Sequence, residues 1–437
     1  TRKESSAASD VYKRQQLLSV DLKAAFDTIS PHVIHNVMNL EEFPSIYMDA
    51  LHHLTATGEG RVFVNGILGP AFLIANGAGQ GDPPSAGRFN VGQDPLLRAL
   101  QVLSLAFRYT LSNGLRVPTT SYADDHLHTL QVQRADQVRE IIDAYSDFQK
   151  VSGLKVNLAK TTILGINTPR ALMDEIVTLT GITEVTEFRY LGLQIKSTYS
   201  QSMESSFNAA SEANIPRFGR ISSSFVDLFH KRQLIQQAFV PVYNHIFMAF
   251  GINTDWEDKI DKDILQLLWS KNREGVLRKG RTMVAKRRTD MDYTYGGLKT
   301  FFSGTIARGL ALNSLQRVLE LHNSPREQWP FFMLILECSL QGAMAPSIVE
   351  MFQMAGSEIW FKFGSRLREV SPTISLMYHA MAELLQINER SRDGWMSAPI
   401  AGNSLAPPLY KINEADGILL YHLSLIHISE PTRQAEI

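Results

Sequence analysis

A single cysteine, Cys338, stands in the 437 residues. It excludes an intramolecular disulfide framework and any multi-cysteine zinc site, and it fits a reducing compartment. Long apolar runs are also missing: the best candidate, Phe331 to Leu336, ends at Glu337. That is far short of the roughly eighteen residues a membrane-spanning helix needs. Charge of one sign is lacking as well. The 43 Lys and Arg against 44 Asp and Glu leave a net charge of −1, so a nucleic-acid partner must be held by a local patch. With 28 Gly and 18 Pro in excess of nothing, collagen-like, coiled-coil and wholly disordered chains are excluded. What remains is an ordinary globular composition, 44% hydrophobic, long enough for several domains and a sizeable core.

The two ends look foreign to the rest. Ser5 to Gln15 (SSAASDVYKRQ) and Leu423 to Arg433 (LSLIHISEPTR) resemble conceptual translations of sequencing-library adapters. The first lacks both the apolar core and the amphipathic stripe of a targeting peptide. Residues 1–15 and 423–437 are therefore expected to be artefactual, 1–15 disordered, with the natural sequence running from about Gln16 to His422.

Between them, LLSVDLKAAFD reads as a buried strand followed by a helix from about Pro31. Residues 43–57 read as helix. Arg61 to Ile74 carries an Asn-Gly pair between two β-rich arms, a hairpin signal. A Gly/Pro loop, Asn76 to Pro84, leads into a helix through about Leu105. Ser121 to Leu130 (SYADDHLHTL) reads as two short strands around an acidic turn. A helix over 134–151 precedes strands near 161–165 and 188–196. Beyond Ser200 the pattern is helical, with breaks near Gly251, Gly275 and Gly296. Strands mixed with helices, then helices alone, predict an α+β domain followed by helical ones.

Three aspartates carry the chemistry: Asp21 at the end of a strand, and Asp124 and Asp125 at a turn. An Asp-Asp pair alone is an ordinary solvated turn. Crowded carboxylates repel, however, and are costly to bury unpaired, so such a set wants a cation. Magnesium takes one or two carboxylates plus substrate phosphates, and a pair of ions suits an in-line phosphoryl displacement. A P-loop or dinucleotide site is not offered by Asn76 to Asp82, which lacks the Lys-Ser/Thr of the one and the later acid of the other.

LSVDLKAAFD, NGAGQGDPPS, SYADD, SGLKVNLAKT and FRYLGLQI occur in the order and spacing of reverse-transcriptase motifs A to E, and resemble most those of non-LTR (LINE-type) retrotransposons. The resemblance runs from Leu17 to Ile195. It continues loosely through Leu267 to Ser270 (LLWS) and Tyr295 to Leu298 (YGGL). It implies an α+β palm over 16–200 built on an antiparallel sheet. A helical thumb over 201–292 and a helical C-terminal extension over 293–422 would follow.

By the same resemblance, Asp21, the Leu22 carbonyl, Asp124 and Asp125 hold two magnesium ions, with manganese as a substitute. Phe26, with Ala25 before it, lies against the incoming sugar, where a ring leaves no room for a 2′-hydroxyl. Gln80 and Gly81 lie near the nascent base pair. Lys160 protonates the leaving pyrophosphate, with Lys155 as competitor. Tyr190, Leu191 and Gly192 hold the primer end. The implied partners are an RNA template, a DNA primer or nicked target DNA, and deoxynucleoside triphosphates, with no membrane. The implied location is intracellular, nuclear and cytoplasmic in a eukaryotic host. The fingers segment and any endonuclease domain are expected upstream of this chain.

Three features depart from that pattern or extend it. Pro83-Pro84-Ser85-Ala86 replaces the usual Pro-Leu-Ser-Pro, and Arg88 stands where an apolar residue is expected. His126 and His128 replace apolar residues after the acidic pair; they read as a His-x-His metal pair or as strand residues sharing one face. Between Lys271 and Arg288, eight basic residues (Lys271, Arg273, Arg278, Lys279, Arg281, Lys286, Arg287, Arg288) face Glu274 alone, a local +7 suited to phosphates. Besides a polymerase, the sequence leaves open a group II intron or retron enzyme, a non-catalytic RNA-binding relative, and an unrelated magnesium nuclease.

Overall fold

The computed structural model describes residues 14–55, 58–73, 77–79, 83–110, 116–117, 119–269, 271–273, 276–278, 289, 297–322, 325 and 375–381. The chain divides into two compact units, Thr1–Ser202 and Met203–Ile437. The architecture is α+β: an antiparallel sheet with helices in the first unit and, among the described residues of the second, helices with one short hairpin. Among the described residues no helix is long and apolar enough to cross a membrane.

Strand β1 (Gln15–Lys23) is the spine of the first unit. Its apparent apolar run is an alternation: Gln16, Leu18, Val20 and Leu22 point into the core, while Leu17, Ser19 and Asp21 lie on the half-exposed face. β1 pairs antiparallel with β5 (Asp125–Leu130) on one side and β7 (Thr162–Ile166) on the other. β4 (Thr120–Tyr122) extends the sheet beyond β5, β8 (Thr183–Glu184) lies parallel to β7, and β6 (Lys155–Val156) pairs with the end of β1. The strand begins earlier than expected. Gln15, the last residue of the segment expected to be disordered, pairs with Ile166, and the buried Gln16 side chain accepts the Val132 N–H at 2.9 Å.

Helices cover the buried side of the sheet. α1 (Pro31–Leu40) starts on Pro31, whose missing N–H costs nothing in a first turn. α2 (Ser45–Thr55) leads to the hairpin β2 (Glu59–Val64) and β3 (Ile67–Leu73), closed by Asn65 and Gly66 with φ of 51° and 83°, the geometry of a two-residue hairpin turn. α3 (Ser85–Leu103) buries Phe89, Leu96 and Leu100, and α4 (Asp136–Ser152) buries Val138, Ile141, Ile142 and Tyr145. α5 (Arg170–Thr180) was not expected from the sequence. Its signals are nonetheless ordinary: Pro169 before it, Leu172, Met173 and Ile176 on one face, and Gly181 at φ 71° after it. The strand expected over 188–196 is a hairpin, β9 (Glu187–Tyr190) and β10 (Leu193–Lys196), turning at Leu191 and Gly192.

The second unit is built from α6 (Tyr199–Ser223, which starts in the first unit), α7 (Leu228–Leu234), α8 (Pro241–Phe250), α9 (Thr254–Trp269) and α10 (Ser303–His322). Its core is aromatic: Phe207 stacks on Trp256 with centroids 4.8 Å apart, beside Phe239, Tyr243 and Phe247. α10 belongs to this core although it lies past the boundary expected at 292. Asp261 on α9 accepts the Ser303 N–H at 2.8 Å and its hydroxyl at 2.7 Å, satisfying the start of α10. The break near Gly275 falls between two short paired strands, β11 (Lys271–Arg273) and β12 (Val276–Arg278).

Candidate active site

The acids assemble by register. Asp21 on β1 and Asp125 on β5 are direct cross-strand partners, and Asp125 also pairs with Tyr122 across the β4–β5 turn. Asp124 sits in that turn, next to Ala123 at φ 53°. Burial first, then the charges of Asp124 and Asp21, raise the Asp125 carboxyl above its ordinary value. Residues far apart in the chain thus meet at one end of two neighbouring strands.

This donor set fits a hard divalent cation: carboxylate oxygens only, crowded enough to feel one another, with no ion pair to a basic side chain among the described residues. The carboxylates are not gathered into a finished cage, and no three His, Cys, Asp or Glu side chains among the described residues are. Leu22 follows Asp21 into the core and pairs with Val156.

Asp21 itself is held by its neighbours' backbone. Its carbonyl accepts the Asn157 N–H at 2.8 Å, and its N–H points to the buried Thr161 hydroxyl at 3.4 Å. The turn between those two contacts carries Lys160, which is exposed; Lys155 is exposed on β6. One loop therefore ties the candidate acid residue to the strand of Asp21. Thr161 and Asn157 had no signal of their own in the sequence beyond standing next to Lys160.

A second contact ties the loop before α3 to the same strand end. Gly77 donates to the Ile29 carbonyl at 3.0 Å and Ala78 to the Phe26 carbonyl at 2.7 Å. Gly77 has φ 95°, and a Cβ there would meet the Phe26 carbonyl oxygen at 2.7 Å, so only glycine fits. Gly77→Ala is expected to cost about 2 kcal/mol or more from backbone strain and collision together. The check is thermal unfolding of the chain, with Tm lower by several degrees, about 2–4 °C for each kcal/mol in a unit of this size. An unchanged Tm would detach this loop from the strand end.

Phe26 is half-buried and stacks on the fully buried Phe89 of α3, centroids 4.3 Å apart and planes at 22°. Ala25 is buried in the core beside it. Asp27 lies exposed in the one-turn helix Ala25–Thr28. Gln80 and Gly81 lie outside the described residues, as do Lys279, Arg281, Lys286, Arg287 and Arg288; Lys271 and Arg278 are register partners on β11 and β12. Arg88, expected to stand in an apolar position, is indeed buried, on α3 next to Phe89.

Tyr190 reaches the sheet edge: its hydroxyl lies 3.4 Å from Thr120 on β4, and burial raises its pKa. The turn residues Leu191 and Gly192 follow at φ 46° and 84°. His126 and His128 share one face of β5 and are wholly buried in the core. Both contact the Tyr145 hydroxyl, at 2.7 and 2.9 Å. Burial lowers His126 to about 4 and His128 to about 3, so both rings are neutral near pH 7.

An antiparallel sheet with acids at the end of its central strand and at the adjoining turn defines the class. Residues 2–195 match the family described as Reverse transcriptase (RNA-dependent DNA polymerase). The chain has relatives among proteins of retrotransposable elements. It is 27% identical over 151 residues to the Retrovirus-related Pol polyprotein from type-2 retrotransposable element R2DM of Drosophila melanogaster. It is 24% identical over 197 residues to that from type-1 retrotransposable element R2 of Popillia japonica. Those alignments cover 34% and 43% of this chain but only 14% and 32% of the relatives, so the chain spans a third or less of their length. Among solved structures, telomerase from Candida albicans in complex with a fragment of telomeric RNA aligns with TM-score 0.30 and 11% identity, over 58% of this chain and 44% of that one.

Proposed function

We propose that the chain is the polymerase segment of a non-LTR retrotransposon protein, an RNA-directed DNA polymerase that extends a primer 3′ end along an RNA template. The observation that carries the reading is the cross-strand pairing of Asp21 with Asp125 beside Asp124. Asp21, Asp124, Asp125 and the Leu22 carbonyl would hold magnesium, or manganese in its place, which when bound favours the ionised 3′ hydroxyl and steadies the leaving oxygen. Phe26 and Ala25 border the sugar of the incoming deoxynucleoside triphosphate, with Gln80 and Gly81 near its base. Lys160, on the loop bonded to Asp21, donates a proton to the departing pyrophosphate. Tyr190, Leu191 and Gly192, at the sheet edge by Thr120, support the primer. The helical segment after residue 200 serves as the thumb, and the basic stretch from Lys271 to Arg288 takes the duplex phosphates.

Primer extension on poly(rA)/oligo(dT) with magnesium tests the reading. Addition of dTTP by the purified chain is the expected result; a folded chain that binds the duplex without extending it would favour a second reading. That reading, a non-catalytic RNA-binding relative, draws on the buried Arg88 and on Ala86 in the first turn of α3, with Pro84 just before it.

Neutralising Lys286, Arg287 and Arg288 together should weaken duplex binding and flatten its salt dependence, by up to about three in the slope of log K against log salt. Binding titrations between low and moderate salt check this. A slope identical to that of the parent would move the duplex path away from the basic segment.

A further inference from the structure

We propose that Tyr145, His126, His128 and Gln93 form a positioning network that fixes strand β5, and through it the Asp125 carboxylate, against helix α3. The proposal rests on the reading of Asp125 as part of the metal-binding set.

Successive residues of a strand face opposite ways. Asp125 and His126 are therefore back to back on one backbone: the carboxylate on the exposed face, the imidazole in the core. Whatever holds His126 in place sets where Asp125 emerges. The side chains that hold it come from two helices, and the Ala123 backbone of the adjoining turn lies against it as well. Gln93, on α3, places Oε1 3.0 Å from His126 Nε2; Tyr145, on α4, places its hydroxyl 2.7 Å from His126 Nδ1. The same hydroxyl lies 2.9 Å from His128 Nε2, and His128 Nδ1 lies 2.9 Å from the Thr119 hydroxyl, just before β4. The hairpin whose turn carries Asp124 and Asp125 is thus pinned on both strands.

The polarity of the chain follows from its ends. Gln93 donates Nε2 to Asn90 Oδ1 at 3.2 Å, so the atom it turns to His126 is the oxygen, which only accepts. Neutral His126 then carries its proton on Nε2 and accepts from the Tyr145 hydroxyl at Nδ1. The Tyr145 oxygen, having donated its proton, accepts from His128 Nε2, and His128 Nδ1 accepts from Thr119. Each hydrogen bond has one donor and one acceptor, and no ring nitrogen is left over. Such a chain has one arrangement, whereas the apolar side chains expected at 126 and 128 would pack in several nearly equivalent ones.

The Tyr145 hydroxyl is the joint, and Tyr145→Phe removes it while keeping the ring. Manganese binding, read directly by electron paramagnetic resonance on the chain with primer and template, should weaken about tenfold, and kcat for dTTP addition should fall about 10–100-fold, with KM within about twofold. Nitrogen-15 spectra of the parent should show both rings protonated at Nε2. A second variant, Tyr145→Phe with His126→Val and His128→Leu, restores an apolar interior. It should recover Tm but not kcat or manganese affinity. Parental kcat and affinity in that triple variant, or a Tyr145→Phe chain unchanged in both, would overturn the network's role, as would an Nδ1-protonated His126. A parent that extends no primer, yet loses manganese affinity on Tyr145→Phe, would leave the network standing and sink the polymerase reading.

Discussion

Asp124→Asn should lower nucleotide addition by about a thousandfold or more, the scale of removing a group that stabilises developing charge, while RNA affinity stays within about twofold. Asp124 lies half-buried in the two-residue turn between β4 and β5, outside both strands, and asparagine keeps its size there. Stability should in fact rise slightly. Asp125 has its pKa raised in the folded chain, by burial and then by Asp124 and Asp21. A carboxyl raised on folding holds its proton more tightly in the folded state, so ionising it costs stability as pH climbs from the unfolded value through the folded one. Removing the Asp124 charge reduces that cost at neutral pH and brings Asp125 part of the way back down. Single-turnover extension, filter binding of the template and thermal unfolding near pH 7 together decide it. Loss of RNA binding alongside activity, or a lower Tm, would take Asp124 out of the assigned role.

Phe26→Ala should admit ribonucleotides, relaxing the preference for deoxyribonucleotides by about 10- to 100-fold, the range over which a pocket wall rejects one extra group. The mechanism is steric, and the stack on Phe89 makes it credible: a ring fixed against a buried neighbour cannot swing aside for a 2′-hydroxyl, whereas a freely rotating one could. The ratio of kcat/KM for dTTP and UTP on one primer–template is the measurement. Unchanged selectivity would place Phe26 in the core and outside the nucleotide site.

Much of the fold was legible because its signals are local. The Asn65-Gly66 turn, the stripe of Val138, Ile141, Ile142 and Tyr145, and Pro31 opening a helix each express a backbone preference or a single-element periodicity. Helix α5 carries comparable local signals in Pro169, the face of Leu172, Met173 and Ile176, and Gly181. The candidate acids were legible too, through the order of short segments along the chain. Their partners were not. Phe89 reads as one more apolar position on α3, and Thr161 as a residue beside a lysine.

The histidines show where the boundary lies. Sequence placed His126 and His128 on one face of a strand, since their spacing of two allows nothing else, and left open whether that face met a metal or the core. The answer depended on Tyr145, seventeen residues beyond His128, and on Gln93, thirty-three before His126, which helix packing brings to the same spot. Composition, periodicity and segment order are properties of the chain read in line, and they suffice for the α+β class, the strand carrying Asp21 and the acidic turn at Asp124 and Asp125. Register across the sheet is a property of pairing. That Asp21 faces Asp125, that Lys160 sits on a loop bonded to Asp21, and that two buried histidines share one tyrosine hydroxyl all depend on how distant segments pair and pack.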